Sequence, residues 1–107
     1  MSACFVYVTA SDAAEARKIG RALVQEKLAA CANVLDGMTA IYWWEGEVQD
    51  GEEAVLIAKT REDLVPALTE KVKALHSYDC PCVVALPLVG GSRDFLDWIA
   101  AETKSGS

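Results

Sequence analysis

The sequence lacks the features that mark two large functional classes. Its 10 Lys and Arg residues are outnumbered by 16 Asp and Glu, and the basic residues form no cluster. Nucleic-acid binding needs a basic stripe that follows the phosphates, so we expect no nucleic-acid partner. The apolar run Ala3–Val8 is too short to span a bilayer and no basic region precedes it, so we expect neither a membrane partner nor a signal peptide. We predict a cytoplasmic protein.

Histidine and paired cysteines are also scarce. His76 is the only histidine, and none of the four cysteines lies in a Cys-x-x-Cys pair, so thioredoxin-like redox chemistry has no support. Because the cytoplasm keeps thiols reduced, we expect free thiols at Cys4, Cys31, Cys80 and Cys82. Cys31 has alanine on both sides, and we interpret it as a small buried hydrophobic residue.

The length and composition predict a single domain over residues 1-107. The chain has 107 residues, 52% of them hydrophobic, and shows no internal repeat and no linker. This is enough to bury one modest core. The tail Thr103–Ser107 is small and polar, so we predict that it is disordered.

The first elements predicted are a strand and a helix. Cys4–Thr9 is rich in β-branched and aromatic residues, which is typical of a strand. Asp12 and Glu15 have the spacing of a capping box, which predicts the start of a helix. The apolar residues that follow recur on one helical face, and this helix is predicted to end near Lys27.

A long hairpin is predicted next. Ala30–Trp44 is extended, with a bend or bulge at Asp36-Gly37, and Asn33 is expected to bond backbone where the strand bends. Glu45-Gly46 predicts the turn of a hairpin, and Glu53–Lys59 is the predicted returning strand.

The last third of the chain predicts a helix, a strand and a short final helix. Thr60–Asp63 is expected to cap the helix, whose first turn tolerates Pro66. Cys82–Leu88 is a continuous apolar run and predicts the fourth strand, and Ser92 is expected to cap the final helix. The apolar stripes of the two helices consist of Leu64, Leu68, Val72 and Leu75, and of Phe95, Trp98 and Ile99.

The order β-α-β-β-α-β with a C-terminal helix predicts an α+β protein with the ferredoxin-like, split βαβ arrangement. Two right-handed crossovers place both main helices on one face of an antiparallel sheet. The other face should then be polar, but the third and fourth strands carry apolar residues on both of their faces. The short last helix cannot cover that face completely, so we expect a second copy of the chain to do so.

Three segments, in this order and spacing, resemble the CutA family of divalent-cation tolerance proteins. They are Glu26–Val34, then Tyr42–Gly46 with Lys59-Thr60, and then His76–Pro81. The resemblance extends from about Val8 to Ile99. It implies a homotrimer in which the open sheet faces pack around a threefold axis. It also implies a role in divalent metal tolerance, with copper or another divalent ion as the candidate metal and no obligatory cofactor.

A metal site is predicted where the fourth strand begins. Cys80 and Cys82 point the same way if the backbone is extended, and His76 lies just upstream. Thiolates favour Cu(I) and Zn(II), and imidazole suits both. The CutA pattern usually has Glu at the position of Cys82, so this chain would exchange a hard ligand for a soft one. The copper site of some CutA proteins uses a histidine and a cysteine where this chain has Leu75 and Val8, so that site does not transfer as a whole.

A cleft between subunits is the second candidate site. The resemblance places five polar and aromatic residues there, with Gly46 and His76 also on family-motif positions. A Lys, a Glu and a His beside aromatics could bind a small anion or transfer a proton. The alternative is structural: the aromatics hold subunits together while Lys59 pairs with Glu53. The cleft residues are Tyr42, Trp44, Glu53, Lys59 and Tyr78.

We therefore predict a cytosolic, homotrimeric, CutA-like protein that binds metal weakly and is not an enzyme, since no nucleophile–base spacing is visible. One alternative is a trimeric small-molecule-binding module resembling nitrogen-regulatory PII proteins, whose long loop would have to lie at Glu45–Gly51. Another is an acylphosphatase-like enzyme, which needs an arginine that Thr9–Asp12 lacks.

Overall fold

The computed structural model describes residues 2–104. Four strands form one sheet: β1 (Ala3–Ala10), β2 (Cys31–Trp44), β3 (Glu47–Arg61) and β4 (Val83–Pro87). Three helices accompany them: α1 (Ala13–Gln25), α2 (Val65–Leu75), which a short 3-10 helix precedes, and α3 (Arg93–Ala101). No helix in the described residues is long and apolar enough to cross a bilayer.

The sheet confirms the predicted ferredoxin-like topology. Its strand order is β2-β3-β1-β4, and every neighbouring pair is antiparallel. β1 pairs with β3 from Ala3 opposite Arg61 to Ala10 opposite Ala54. The α1 and α2 connections each skip one strand, which is what the split βαβ arrangement requires.

Helix α1 begins and ends by local hydrogen bonds. The Asp12 carboxylate accepts from the backbone N–H of Glu15, as predicted, but the Glu15 carboxylate accepts from the N–H of Ser11 rather than Asp12. The helix ends two residues before the predicted Lys27. Lys27 has a φ of 58°, and the N–H of Leu28 donates to the carbonyl of Leu23, closing a Schellman motif without glycine.

The predicted capping of α2 by Thr60–Asp63 is wrong. Among residues 2–104, no side chain caps either the 3-10 helix or α2. Thr60 belongs to β3 and its hydroxyl donates to the carbonyl of Leu28, while the Asp63 carboxylate pairs with Arg61. Pro66 lies in the first turn as expected, where its missing N–H costs little. Ser92 caps α3 by accepting from the N–H of Phe95.

The hydrophobic core lies between the sheet and helices α1 and α2. β1 alternates strictly, and its buried residues face these helices, as do the alternate residues of β3. Gly20 of α1 approaches the sheet closely, since a Cβ there would stand 3.1 Å from Leu56 and 3.2 Å from Ala32. The large core side chains include Val6, Val8, Ile19, Leu23, Leu56, Leu68 and Val72.

Helix α3 covers only part of the opposite face of the sheet, here called the open face. It packs against β1 and β3, and its Ile99 is fully buried. Beyond this helix, apolar side chains of the open face remain accessible: Leu35 is 55% exposed, Val84 52% and Leu86 51%. The expectation that the last helix cannot cover the second face is confirmed.

The β2–β3 hairpin extends beyond the rest of the sheet and gives the molecule dimensions of 43 × 26 × 22 Å. The predicted bulge is present, because the register shifts between Leu35 and Met38, with Gly37 at a φ of 70°. The predicted two-residue turn is also present, with positive φ at Glu45 (51°) and Gly46 (80°). The returning strand starts directly after this turn, well before the predicted Glu53, because hairpin pairing overrides the polar composition of residues 47–52.

The predicted disordered tail begins too early. Thr103 is buried, and its hydroxyl donates to the carbonyl of Ile99. The N–H of Lys104 donates to the carbonyl of Lys27, which ties this segment to the end of α1. The remainder of the predicted tail, residues 105–107, lies outside the described residues.

Candidate functional site

The loop between α2 and β4 meets the base of the hairpin. The Tyr78 hydroxyl donates to the Glu53 carboxylate over 2.7 Å. Burial and the Glu53 charge together raise the pKa of Tyr78 to about 12. The phenol is therefore a stable hydrogen-bond donor at neutral pH, and two of the five predicted cleft residues are in contact.

His76 holds the same loop against the end of β1. Its Nε2 lies 2.7 Å from the carbonyl oxygen of Thr9, and since a carbonyl only accepts, Nε2 carries the proton. Its Nδ1 accepts from the backbone N–H of Tyr78 at 3.1 Å. The His76 side chain has no exposed surface, so both nitrogens are engaged within the chain.

Glu15 completes this arrangement from the first turn of α1. Its carboxylate accepts from the N–H of Ser77 at 2.8 Å and from both the N–H and the hydroxyl of Ser11 at 2.9 Å. Burial by itself raises the pKa of Glu15, but the hydrogen bonds from Ser11 and Ser77 outweigh it and lower the pKa to about 2. The contact of Glu15 with Ser77 could not be predicted from the sequence, because the spacing of Glu15 from Asp12 indicated only a role in helix capping.

The predicted metal ligands do not converge within one chain. Among residues 2–104, no three His, Cys, Asp or Glu side chains gather closely enough to hold a metal ion. Cys80 is exposed and Cys82 is half-buried, both as free thiols. Burial, and secondarily the charge of Glu53, raises the pKa of the Cys82 thiol. Of the predicted ligands, only Cys80 and Cys82 have sulfur or nitrogen atoms that are not already committed within the chain.

Lys59 lies away from the Glu53–Tyr78 contact. Its ammonium donates to the Asn33 side chain over 2.7 Å and lies 5.8 Å from the centre of the Phe95 ring. The suggested Lys59–Glu53 pair is therefore wrong, since the two residues are six positions, or about 20 Å, apart along β3. The side chain of Asn33 was expected to hydrogen-bond to the backbone. Its amide oxygen instead accepts a hydrogen bond from the Lys59 ammonium.

The aromatic residues of the hairpin stand largely in solvent in the single chain. Trp44 is 61% exposed and Tyr42 46% exposed, on the face of the hairpin that continues the open face. Trp43 points to the opposite face of the hairpin and is 73% exposed. Cys31 lies opposite Lys59 on the open face and is half-buried, so its interpretation as a core residue is wrong.

A family model described as "CutA1 divalent ion tolerance protein" matches residues 4–102. The chain belongs to the CutA1 divalent ion tolerance family. The divalent-cation tolerance protein CutA of Thermus thermophilus is 47% identical over 98 residues, covering 92% of this chain and 95% of that protein. The chloroplastic protein CutA 1 of Oryza sativa is 48% identical over 99 residues, but the aligned part is only 56% of its length.

Solved CutA1 structures share the whole fold. The crystal structure from Oryza sativa has a TM-score of 0.95 at 45% identity and covers 97% of this chain and 95% of that chain. The structure from Thermus thermophilus has a TM-score of 0.93 at 45% identity and covers 95% of this chain and 99% of that chain. The CutA1 membership and the ferredoxin-like fold predicted from the sequence are therefore confirmed.

The structure also removes the basis of the alternative resembling nitrogen regulators. The hypothesis of a module resembling PII proteins needed a long loop at Glu45–Gly51. The hairpin turn contains only Glu45 and Gly46, and β3 begins at Glu47.

Proposed function

We propose that this CutA1-family chain acts as a homotrimer that binds metal ions weakly and contributes to divalent-cation tolerance without catalysing a reaction. The observation that carries the proposal is the apolar open face, which continues onto the exposed aromatics of the hairpin. Monomeric proteins rarely leave large contiguous apolar patches in water, so exposed apolar residues on one face point to a partner.

Self-association explains this surface better than an unrelated partner does. The exposed apolar residues of this face lie on β4, on β2 and on the hairpin, so one molecule could offer its hairpin to the open face of the next. The β2 and β4 edges of the sheet are both available for pairing. Repetition of such a head-to-tail contact closes into a ring when the rotation permits. The family resemblance supplies the expected number of three copies.

The metal proposal rests on Cys80 and Cys82 at the entrance to β4. The His76 nitrogens are committed to Thr9 and Tyr78, so His76 would join the two thiols only if the loop rearranged or a neighbouring copy approached. Soft thiolates select Cu(I), and weak binding follows from the small number of ligands and the raised pKa of Cys82.

Location in the cytoplasm is part of the same proposal. All four cysteines are free, and Cys80 is exposed, which suits a reducing compartment. Relatives differ in this respect, since the plant proteins are named chloroplastic and the structure from Archaeoglobus fulgidus is titled periplasmic.

Native mass spectrometry of the purified protein, with and without Cu(I), Cu(II) and Zn(II), tests the assembly and the metal together. We expect a trimer that takes up no more than about one Cu(I) per chain, with affinity falling below pH 6 as the ligands become protonated. Cys82→Ser should abolish Cu(I) uptake while preserving the trimer. Cys31→Ser is the matched control and should bind as the parent does.

Either half of the proposal can fail separately. A monomer at micromolar concentration would refute the assembly, and a dimer would refute only the stoichiometry. Equal Cu(I) uptake by Cys82→Ser and the parent would assign Cys80 and Cys82 to packing, and the tolerance role would then need another site.

A further inference from the structure

A cavity of about 400 Å³ lies beneath α3, at the end of the sheet where β1 begins. Its size falls within the range of small-molecule sites, about 300–1,000 Å³. Because Ala3 pairs with Arg61 and Ala10 pairs with Ala54, this cavity and the Glu53–Tyr78 contact are at opposite ends of β1. The cavity is therefore separate from the candidate metal and cleft residues.

A buried arginine forms one wall of the cavity. The Arg61 side chain is only 7% exposed. Its Nε and Nη2 are held by the Asp63 carboxylate, and Nη2 also donates to the carbonyl of Lys104. Nη1 has no hydrogen-bond partner among residues 2–104. Arg61 lines the cavity, and with Nε and Nη2 engaged, Nη1 is the part of the guanidinium left to donate to a ligand.

Helix α3 contributes two further charges of opposite sign. Arg93 and Asp97 are one helical turn apart and both line the cavity. Neither forms an ion pair with another described residue. With Asp63 already neutralising Arg61, the cavity presents donors for a carboxylate and an acceptor for an ammonium group, with little net charge.

An apolar wall beside these charges is provided by Leu88 and Leu96. A simple anion would leave Asp97 opposed to it, and a simple cation would leave the two arginines opposed. We propose that the cavity binds a small zwitterion with an aliphatic side chain, that is, a free amino acid of the leucine type. Its carboxylate is held by Arg61 Nη1 and Arg93, its ammonium by Asp97, and its side chain by the apolar wall.

Calorimetry on the assembled protein without added metal tests the inference with three probes of similar shape. These are L-leucine, 4-methylpentanoate, which lacks the ammonium, and 3-methylbutylamine, which lacks the carboxylate. We expect leucine to bind at least tenfold more tightly than either analogue, because only leucine satisfies both charge types. Amide chemical-shift changes should centre on Ala3, Gly90 and Leu96.

Variants of α3 distinguish a specific binding site from non-specific binding. Arg93→Gln and Asp97→Asn should each weaken leucine binding at least tenfold, and Asp97→Asn should not weaken binding of 4-methylpentanoate. Asp94→Asn, on the same helix but outside the cavity, and Arg17→Gln, on α1, are the matched controls. Arg61 is left intact because it also holds Asp63 and Lys104.

The inference is overturned if leucine does not bind at millimolar concentration, if the three probes bind equally, or if the α3 variants behave as their controls do. None of these outcomes bears on the trimer or on Cu(I) uptake, which depend on other residues. Failure of the amino-acid site and failure of the proposed function are thus distinguishable.

Discussion

The Tyr78 hydroxyl and the Glu53 carboxylate, 25 positions apart, are joined by a 2.7 Å hydrogen bond. Tyr78 lies in the loop that precedes β4, and Glu53 lies at the base of the hairpin, just past the last β1 pairing at Ala54. The contact therefore connects the loop carrying Cys80 and Cys82 with the hairpin that we propose to reach a neighbouring subunit.

The Tyr78 contact has a spectroscopic signature. In an alkaline absorbance titration read within milliseconds of a pH jump, we expect one of the three tyrosines to titrate near pH 12, because burial and Glu53 disfavour its ionised form. Tyr78→Phe should remove this late component, whereas Tyr7→Phe should retain it. A late component that survives in Tyr78→Phe would assign the raised pKa to another tyrosine.

Acid stability should depend on Glu15. Its folded-state pKa of about 2 lies below the ordinary 4.5, so its stabilisation is complete above about pH 4.5 and is lost as the pH falls towards 2. The shift corresponds to at most about 3 kcal/mol in the free energy of unfolding. Glu15→Gln should lower stability at pH 7 and flatten its dependence between pH 4.5 and 2, measured by urea unfolding. Glu70→Gln, on the surface of α2, should keep the parent's pH dependence, and a steep dependence in Glu15→Gln would contradict the assignment.

Trp44 should matter only through assembly. It is 61% exposed in the single chain, so its removal costs little unless another copy covers it. Within the proposed trimer, Trp44→Ala should lower stability by about 3 kcal/mol, measured by thermal unfolding together with sedimentation. Val24→Ala, on α1 and 37% exposed, is the control for loss of a partly exposed apolar side chain. An unchanged melting temperature and mass for Trp44→Ala would show that this residue lies outside any interface.

Gly20→Ala tests the close approach of α1 to the sheet. Alanine gains about 1 kcal/mol in helix propensity. Its methyl group would, however, meet Leu56 at 3.1 Å and Ala32 at 3.2 Å, and the Ala32 Cβ is fixed to strand β2. We expect a net loss of about 1–2 kcal/mol by chemical denaturation. Gly90→Ala, where a Cβ meets nothing within 4 Å, should be nearly neutral. Stabilisation by Gly20→Ala would mean that the strand yields easily.

The element order could be predicted from the sequence because the signals involved are local. The alternation of Cys4–Thr9 and the Asp12 and Ser92 caps each act over a few residues. The bulge and the hairpin turn could also be predicted from the sequence, because each contains a glycine, and Gly37 and Gly46 adopt the positive φ that glycine permits. The Schellman end of α1 was missed, because Lys27 adopts that conformation without the glycine that usually signals it.

The partners within the site could not be predicted in the same way. Family spacing grouped Lys59 with Glu53 and Tyr78, but the register of β3 with β2 places Lys59 beside Asn33. Ser77 meets Glu15 across 62 positions, and His76 meets Thr9 across 67. A one-residue slip in strand pairing would also exchange the faces of Lys59 and Asn33.

The sequence alone thus determined where the strands and helices lie, which faces are apolar and which family the chain belongs to, because these depend on periodicity and local conformational preference. Only the tertiary structure decided that both nitrogens of His76 bond to the backbone, that Glu15 holds the Ser77 loop, and that Arg61 lines a cavity under α3. These relationships depend on hydrogen bonds between distant residues, whose geometry exists only once the sheet register and the helix packing have been established.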